Sequence, residues 1–137
     1  MAIASHVIEH LEEPGRFLQA LHHVPFDRLV VEVPLEDLPA GRLKARFRDR
    51  MANEAGHVQF FNRASLRRLV SESGYIVRAE RVYAPVLNRE AMKMSNHGVS
   101  PVTRLQRNLT RRWLPIVAGP LLARVYHAHF AVLLERA

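Results

Sequence analysis

The sequence predicts an α/β fold, a sheet of short strands with helices packed on its faces. Three observations predict it. Short runs rich in β-branched residues, at Arg28–Val33, Tyr75–Tyr83 and Tyr126–Glu135, alternate with stretches whose apolar residues recur at helical spacing. Helix stops and caps (Pro25, Asn62, Gly74) stand between them. At 137 residues, 48% hydrophobic and 24% charged, the chain can bury a core and reads as one domain.

Taken in order, Met1–Ser5 is the end of a buried strand. Glu12, Glu13 and Pro14 open a helix, since acidic residues and proline suit a first turn with unpaired N–H groups and a positive dipole end. Phe17, Leu18, Leu21 and Val24 give Pro14–His23 one apolar face, and Pro25 stops it. Arg28–Val33, bounded by Pro25 and Pro34, reads as a buried strand of parallel type, apolar on both sides. Pro34–Arg50 is a loop with a basic helical turn at Leu43–Met51. Gly56–Asn62 is irregular and ends in an N-cap, Asn62, for a helix over Arg63–Ser73 whose buried face is Leu66, Leu69 and Val70. Gly74 is its C-cap, and Tyr75–Tyr83 alternates as a strand does. Pro85–Pro101 is polar and mixed, Val102–Arg112 is weakly helical and basic, and Leu114–Arg124 is an apolar helix interrupted by Gly119-Pro120. Tyr126–Glu135 is the last strand, expected to form an antiparallel edge pair.

Cysteine is absent, which excludes a disulfide framework, a zinc-thiolate site and a cysteine nucleophile. The net charge of +7 comes mainly from arginine on helix faces; no recognised nucleic-acid module accompanies it, and nucleic acid is not expected as a partner. No stretch reaches the ~20 apolar residues of a membrane span. The nearest, Trp113–Tyr126, is broken by Pro115, Gly119, Pro120 and Arg124. No signal peptide is recognised, so a cytoplasmic location is expected.

The run Ser5-His6-Val7-Ile8-Glu9-His10 concentrates the chemistry-bearing residues. Three readings stand beside one another. His6-Val7-Ile8-Glu9-His10 matches H-x-x-E-H, in which two imidazoles four apart on a helix grip zinc and the glutamate acts as base, with Glu80 or Glu90 as a third ligand. Against it, the run lies before the acidic helix opening rather than on a helix. The second reading makes the histidines loop residues bonded locally, with Glu9 solvated.

The third reading rests on resemblance. "ASHVIEHLEEP" (Ala4–Pro14) resembles the segment after the fourth strand of class I S-adenosylmethionine-dependent methyltransferases of the small-molecule and ubiquinone-type group. "FLQALHHV" is similar to the helix that follows, "RLVVEVPLED" to the fifth strand, and "GHVQFFNRASLRRLVSESGYIV" to the loop, helix, glycine and sixth strand. The likeness covers Met1–Tyr83 well and Tyr126–Glu135 weakly.

That resemblance implies a Rossmann-like sheet whose last strand is antiparallel, here represented by strands four to seven with flanking helices. It implies one partial domain over 1–137, with a helical insert over 85–124. It implies transfer of a methyl group from S-adenosylmethionine to a small-molecule acceptor. Ser5 and His6 would face the cofactor; His6, Glu9 and His10 are the candidate catalytic residues; His57 and, in the insert, Arg104 are candidate substrate contacts; no metal ligand is assigned. The family's glycine-rich cofactor loop is not in this sequence, so the chain reads as truncated, and cofactor binding by it alone is expected to be weak. The first strand would be an exposed apolar edge, a template for a second copy or for the missing N-terminal half. A remnant acting only through such association is the alternative from another class.

Overall fold

A computed structural model describes residues 1–137 apart from 48, 50–55, 86–88 and 126–127. In chain order the elements are β1 (Ala2–Ser5), a 3-10 turn (Ile8–His10), α1 (Pro14–Ala20) running into a second 3-10 turn (Leu21–His23), β2 (Leu29–Leu35), α2 (Pro39–Ala45), α3 (Arg63–Glu72) and β3 (Tyr75–Tyr83). Then come α4 (Arg89–Ser95), α5 (Pro101–Asn108), a π-helical turn (Leu109–Trp113), α6 (Leu114–Val125) and β4 (Ala128–Arg136). No helix among the described residues is long and apolar enough to cross a membrane.

The strands lie in the order β1-β2-β4-β3. β1 and β2 are parallel, while β4 is antiparallel to both β2 and β3. The expected antiparallel pair forms, with β3 at the edge and β4 inside. Burial explains the placement: Ala128, Phe130, Val132 and Leu134 of β4 are all fully buried, whereas β3 carries charged residues suited to an edge. β2 is parallel on one side only and continues past its expected end at Pro34 to Leu35. Proline is tolerated there because the N–H it lacks would point towards β1, whose pairing has stopped at Ser5↔Glu32.

Register explains the core. Leu29↔Leu134, Val31↔Val132, Val33↔Phe130 and Leu35↔Ala128 are opposite each other, and all eight are buried. Leu18 of α1 and Leu66 and Val70 of α3 join them in one cluster. Because successive strand residues point to opposite faces, Glu32 of β2 and His129 of β4 fall on the other face. Val30 and Glu32 are only half-buried, which corrects the expectation of a strand apolar on both sides.

α3 begins and ends where the caps predict. The Asn62 side chain accepts from the Ser65 N–H (2.9 Å), and the Ser65 hydroxyl accepts from the Asn62 N–H (2.9 Å). Asn62 Nδ2 also donates to Asp37 (3.0 Å). Asn62→Ala is expected to lower stability by about 1 to 2 kcal/mol in chemical denaturation, and Asn62→Ser, which keeps a capping oxygen, by less. Gly74 follows with φ +81°, and a Cβ there would stand 3.2 Å from His22 Nε2.

The 85–124 region holds more helix than expected. α4 lies within the stretch read as mixed and polar and buries Met92. α5 begins at Pro101 behind the Ser100 cap. α6 packs on β3 and β4 and departs from helical geometry at Ala118, just before Gly119-Pro120, as a proline's missing N–H and ring clash require. The helix near the basic turn expected at Leu43–Met51 lies earlier: α2 begins at Pro39, a residue suited to a first turn, and ends at Ala45. Positions 48, 50 and 51 of that stretch lie outside the described residues.

Candidate active site

β1 delivers the chain to the site. After Ser5 the backbone turns through His6, whose φ of 53° is in the left-handed region, uncommon outside glycine. Such a conformation persists where its surroundings over-determine it. The His6 N–H donates to the Glu32 carbonyl (3.1 Å). Its ring nitrogens lie 3.2 Å from Glu9 Oε1 and 3.8 Å from Glu32 Oε1. Its ring centroid is 4.7 Å from that of His129.

Glu32 is the hub of this cluster. It accepts from the Tyr83 hydroxyl, from His129 Nδ1 (3.0 Å) and from the Ser5 hydroxyl (3.0 Å). The sheet makes this meeting possible. Ser5 is opposite Glu32, His129 is opposite Tyr83, and the four side chains lie on the face away from the core. Burial works to raise the Glu32 carboxyl's pKa, but the hydrogen bonds from Tyr83, His129 and Ser5 and the charge of His129 outweigh it. The net result holds it below the ordinary carboxylate value. Burial first, then the bond to Glu32 and the Glu32 charge, pushes the Tyr83 hydroxyl up to about 12.

A second group lies on the far side of Glu9. The Glu9 carbonyl accepts from the N–H groups of Val58 (2.9 Å) and Gln59 (3.0 Å), which lays the irregular 56–62 segment on the 3-10 turn. His10 Nδ1 donates to the Gly56 carbonyl (3.2 Å), and the His10 and His57 ring centroids are 4.8 Å apart. His57 Nδ1 donates to Glu36 Oε2 (2.8 Å). Glu9 itself is fully buried, which corrects the reading of it as solvated.

The structure brings His57 beside His10, so that Ser5, His6, Glu9, His10 and His57 lie around one loop. It does not form the peptidase arrangement. The run 6–10 is a left-handed turn and a 3-10 turn, so His6 points to Glu32 and His129 while His10 points to Gly56 and His57. Glu80, one proposed third ligand, is paired with Arg63 and Arg67, whose charges hold it below its usual range mainly through the Arg67 bond. Glu90, the other, sits in the first turn of α4. Arg104 lies apart, on α5, beside a shallow groove lined by Arg89, Lys93, His97 and Arg112. His22 is half-buried: its Nε2 donates to the Ser73 carbonyl (2.8 Å) and its ring lies on Tyr75.

Sequence reasoning missed Glu32, Tyr83 and His129. A signal was present for Glu32, a single carboxylate inside an apolar strand run. His129 and Tyr83 needed the register, since neither belongs to a motif.

In comparison with known proteins, a family model described as "Methyltransferase domain" matches residues 1–80. None of the curated proteins compared matches the chain. The matched segment holds β1, the histidine loop, β2, α3 and most of β3. This is a mixed α/β unit compatible with a methyltransferase-like fold, and its match spans more than half of the chain. The chain belongs to the methyltransferase-domain family, with a class I S-adenosylmethionine-dependent methyltransferase-like domain.

Proposed function

We propose that this chain works as the strand-four-to-seven half of an S-adenosylmethionine-dependent methyltransferase acting on a small-molecule acceptor. In this reading 85–124 is a helical insert within one partial domain over 1–137. The observation that carries the proposal is the polar cluster at the carboxyl end of β1: exposed Ser5 and His6 held over Glu32, His129 and Tyr83. Ligands of open α/β sheets bind beyond the carboxyl ends of the strands.

The residues present suit part of the cofactor. Ser5 and His6 offer hydroxyl and imidazole groups to its amino-acid end. The glycine-rich loop of the family is not among the 137 residues. Bound, the cofactor would supply a methyl group on a sulfonium. Most of the acceleration in such a transfer comes from holding donor and acceptor in line at near-attack distance. His6 then serves as the base that takes a proton from the acceptor, steadied by Glu32 and Glu9. His10 and His57 line the acceptor side.

A second reading has its own observation. Ile3 on the edge strand β1 and Met1 just before it are 65% and 77% exposed, an apolar edge suited to pairing with another chain. One titration separates the two. Calorimetry of the chain with S-adenosylmethionine is expected to show weak binding that His6→Ala reduces at least about tenfold. Absence of binding, together with self-association in sedimentation that Ile3→Lys abolishes, would favour the association reading instead.

A further inference from the structure

We infer that Glu9, His10 and His57 form a binding site for a divalent transition-metal ion, with zinc the ion that the donor set suits. The inference does not require methyl transfer, although the methyl-transfer reading uses the same three side chains beside His6; zinc binding is measured without S-adenosylmethionine, so the two stand or fall separately. One ligand atom from each residue lies within 4.8 Å of the other two. One carboxylate and two imidazoles are a ligand set of zinc centres that keep a coordination position open.

Glu9 is the first reason. It is fully buried, and neither carboxylate oxygen accepts a hydrogen bond among the described residues, although His6 Nδ1 stands 3.2 Å from one of them. Buried carboxylates are costly unless charge or donors meet them, and buried polar atoms in folded proteins are nearly all satisfied. A cation between Glu9 and the two rings would supply the missing partner.

The orientation of the rings is the second reason. His10 Nδ1 donates to a backbone carbonyl, that of Gly56, and His57 Nδ1 donates to a carboxylate, that of Glu36. In each neutral ring this puts the ligating lone pair on Nε2. Metal-bound histidines are held in this way, with a carbonyl or carboxylate on the other nitrogen fixing tautomer and direction. The rings meet edge to face at 71°. The two N–H bonds to the Glu9 carbonyl tie the ligand-bearing segments together at the backbone.

The neighbouring trio His6, Glu32 and His129 also has ligand atoms within 4.8 Å. There the carboxylate already accepts from Tyr83, His129 and Ser5, so its charge is met without an ion.

The test is calorimetric titration of the chelator-stripped full chain with zinc chloride, with bound zinc counted after dialysis. One zinc per chain is expected. Glu9→Gln and His57→Ala should each weaken binding at least about tenfold, Glu36→Gln should weaken it by about 10- to 100-fold, and His129→Ala should leave it unchanged. Circular dichroism checks each variant's fold. Glu9→Gln, which keeps the side chain's shape, decides the matter if His57→Ala does not fold. No saturable zinc binding, binding unaltered by Glu9→Gln, or binding lost in His129→Ala would overturn the proposal.

Discussion

Phe130→Ala is expected to destabilise the protein by about 3 to 5 kcal/mol, a large share of the ~5–15 kcal/mol that holds a typical domain folded. Phe130 is the largest fully buried side chain among the described residues, and it stands on the central strand β4, opposite Val33 and beside Val82. Its ring is roofed by the guanidinium groups of Arg63 and Arg67 at 5.6 and 5.9 Å, both anchored by Glu80. Truncation loses the buried area and leaves a cavity between a sheet and a helix that cannot both close on it. Phe130→Leu keeps most of the volume and should cost clearly less. In urea denaturation the midpoint should fall with little change in slope. A midpoint unchanged for Phe130→Ala would mean that α3 is not packed on this strand.

Glu32→Ala is the second large effect, with an expected loss of about 2 to 3 kcal/mol at neutral pH. The substitution leaves the Tyr83 hydroxyl, His129 Nδ1 and the Ser5 hydroxyl without their acceptor. The figure is held down because the Glu32 side chain is 20% exposed and water can replace part of the loss. Glu32→Gln keeps an acceptor and should cost less.

The pH dependence gives a sharper signature. The Glu32 carboxyl is lowered in the folded protein, so its stabilisation is present above its ordinary value of 4.5 and is lost as pH falls through the lowered value. The gap between the parent and Glu32→Gln should close in acid. Tyr83 has the opposite sign. Its pKa is raised from 10.0 to about 12, so its contribution is full below pH 10 and disappears as pH rises towards 12. Tyr83→Phe should remove that alkaline loss. Denaturation midpoints across pH for the parent and the two variants would show both windows. A gap between parent and Glu32→Gln that widens in acid would contradict the hub arrangement.

Local pattern carried far in this chain. The strand over Tyr75–Tyr83, the Asn62 cap, the Gly74 stop and the interruption before Pro120 depend on neighbours along the sequence, and each appears where residue chemistry places it, although the strand's burial does not alternate and its register shifts between Val77 and Ala79. α4 escaped because its seven residues are mostly polar and only Met92 is buried; short helices of that kind form through tertiary packing rather than propensity. Part of the site was legible too, since Ser5, His6, Glu9 and His10 are consecutive or nearly so and make one motif.

By itself the sequence determined the α/β class, the order of strands and helices, and a histidine-rich loop at the end of the first strand, because these follow from periodicity, caps and short-range spacing. Only the tertiary structure decided that β4 inserts between β2 and β3, and that Glu32, Tyr83 and His129 meet beneath His6. It alone buried Glu9 and set His57 beside His10. Those meetings join residues tens of positions apart, and the strand register that aligns them is chosen by burying one whole face of the sheet, a free energy shared across all four strands that no local segment contains.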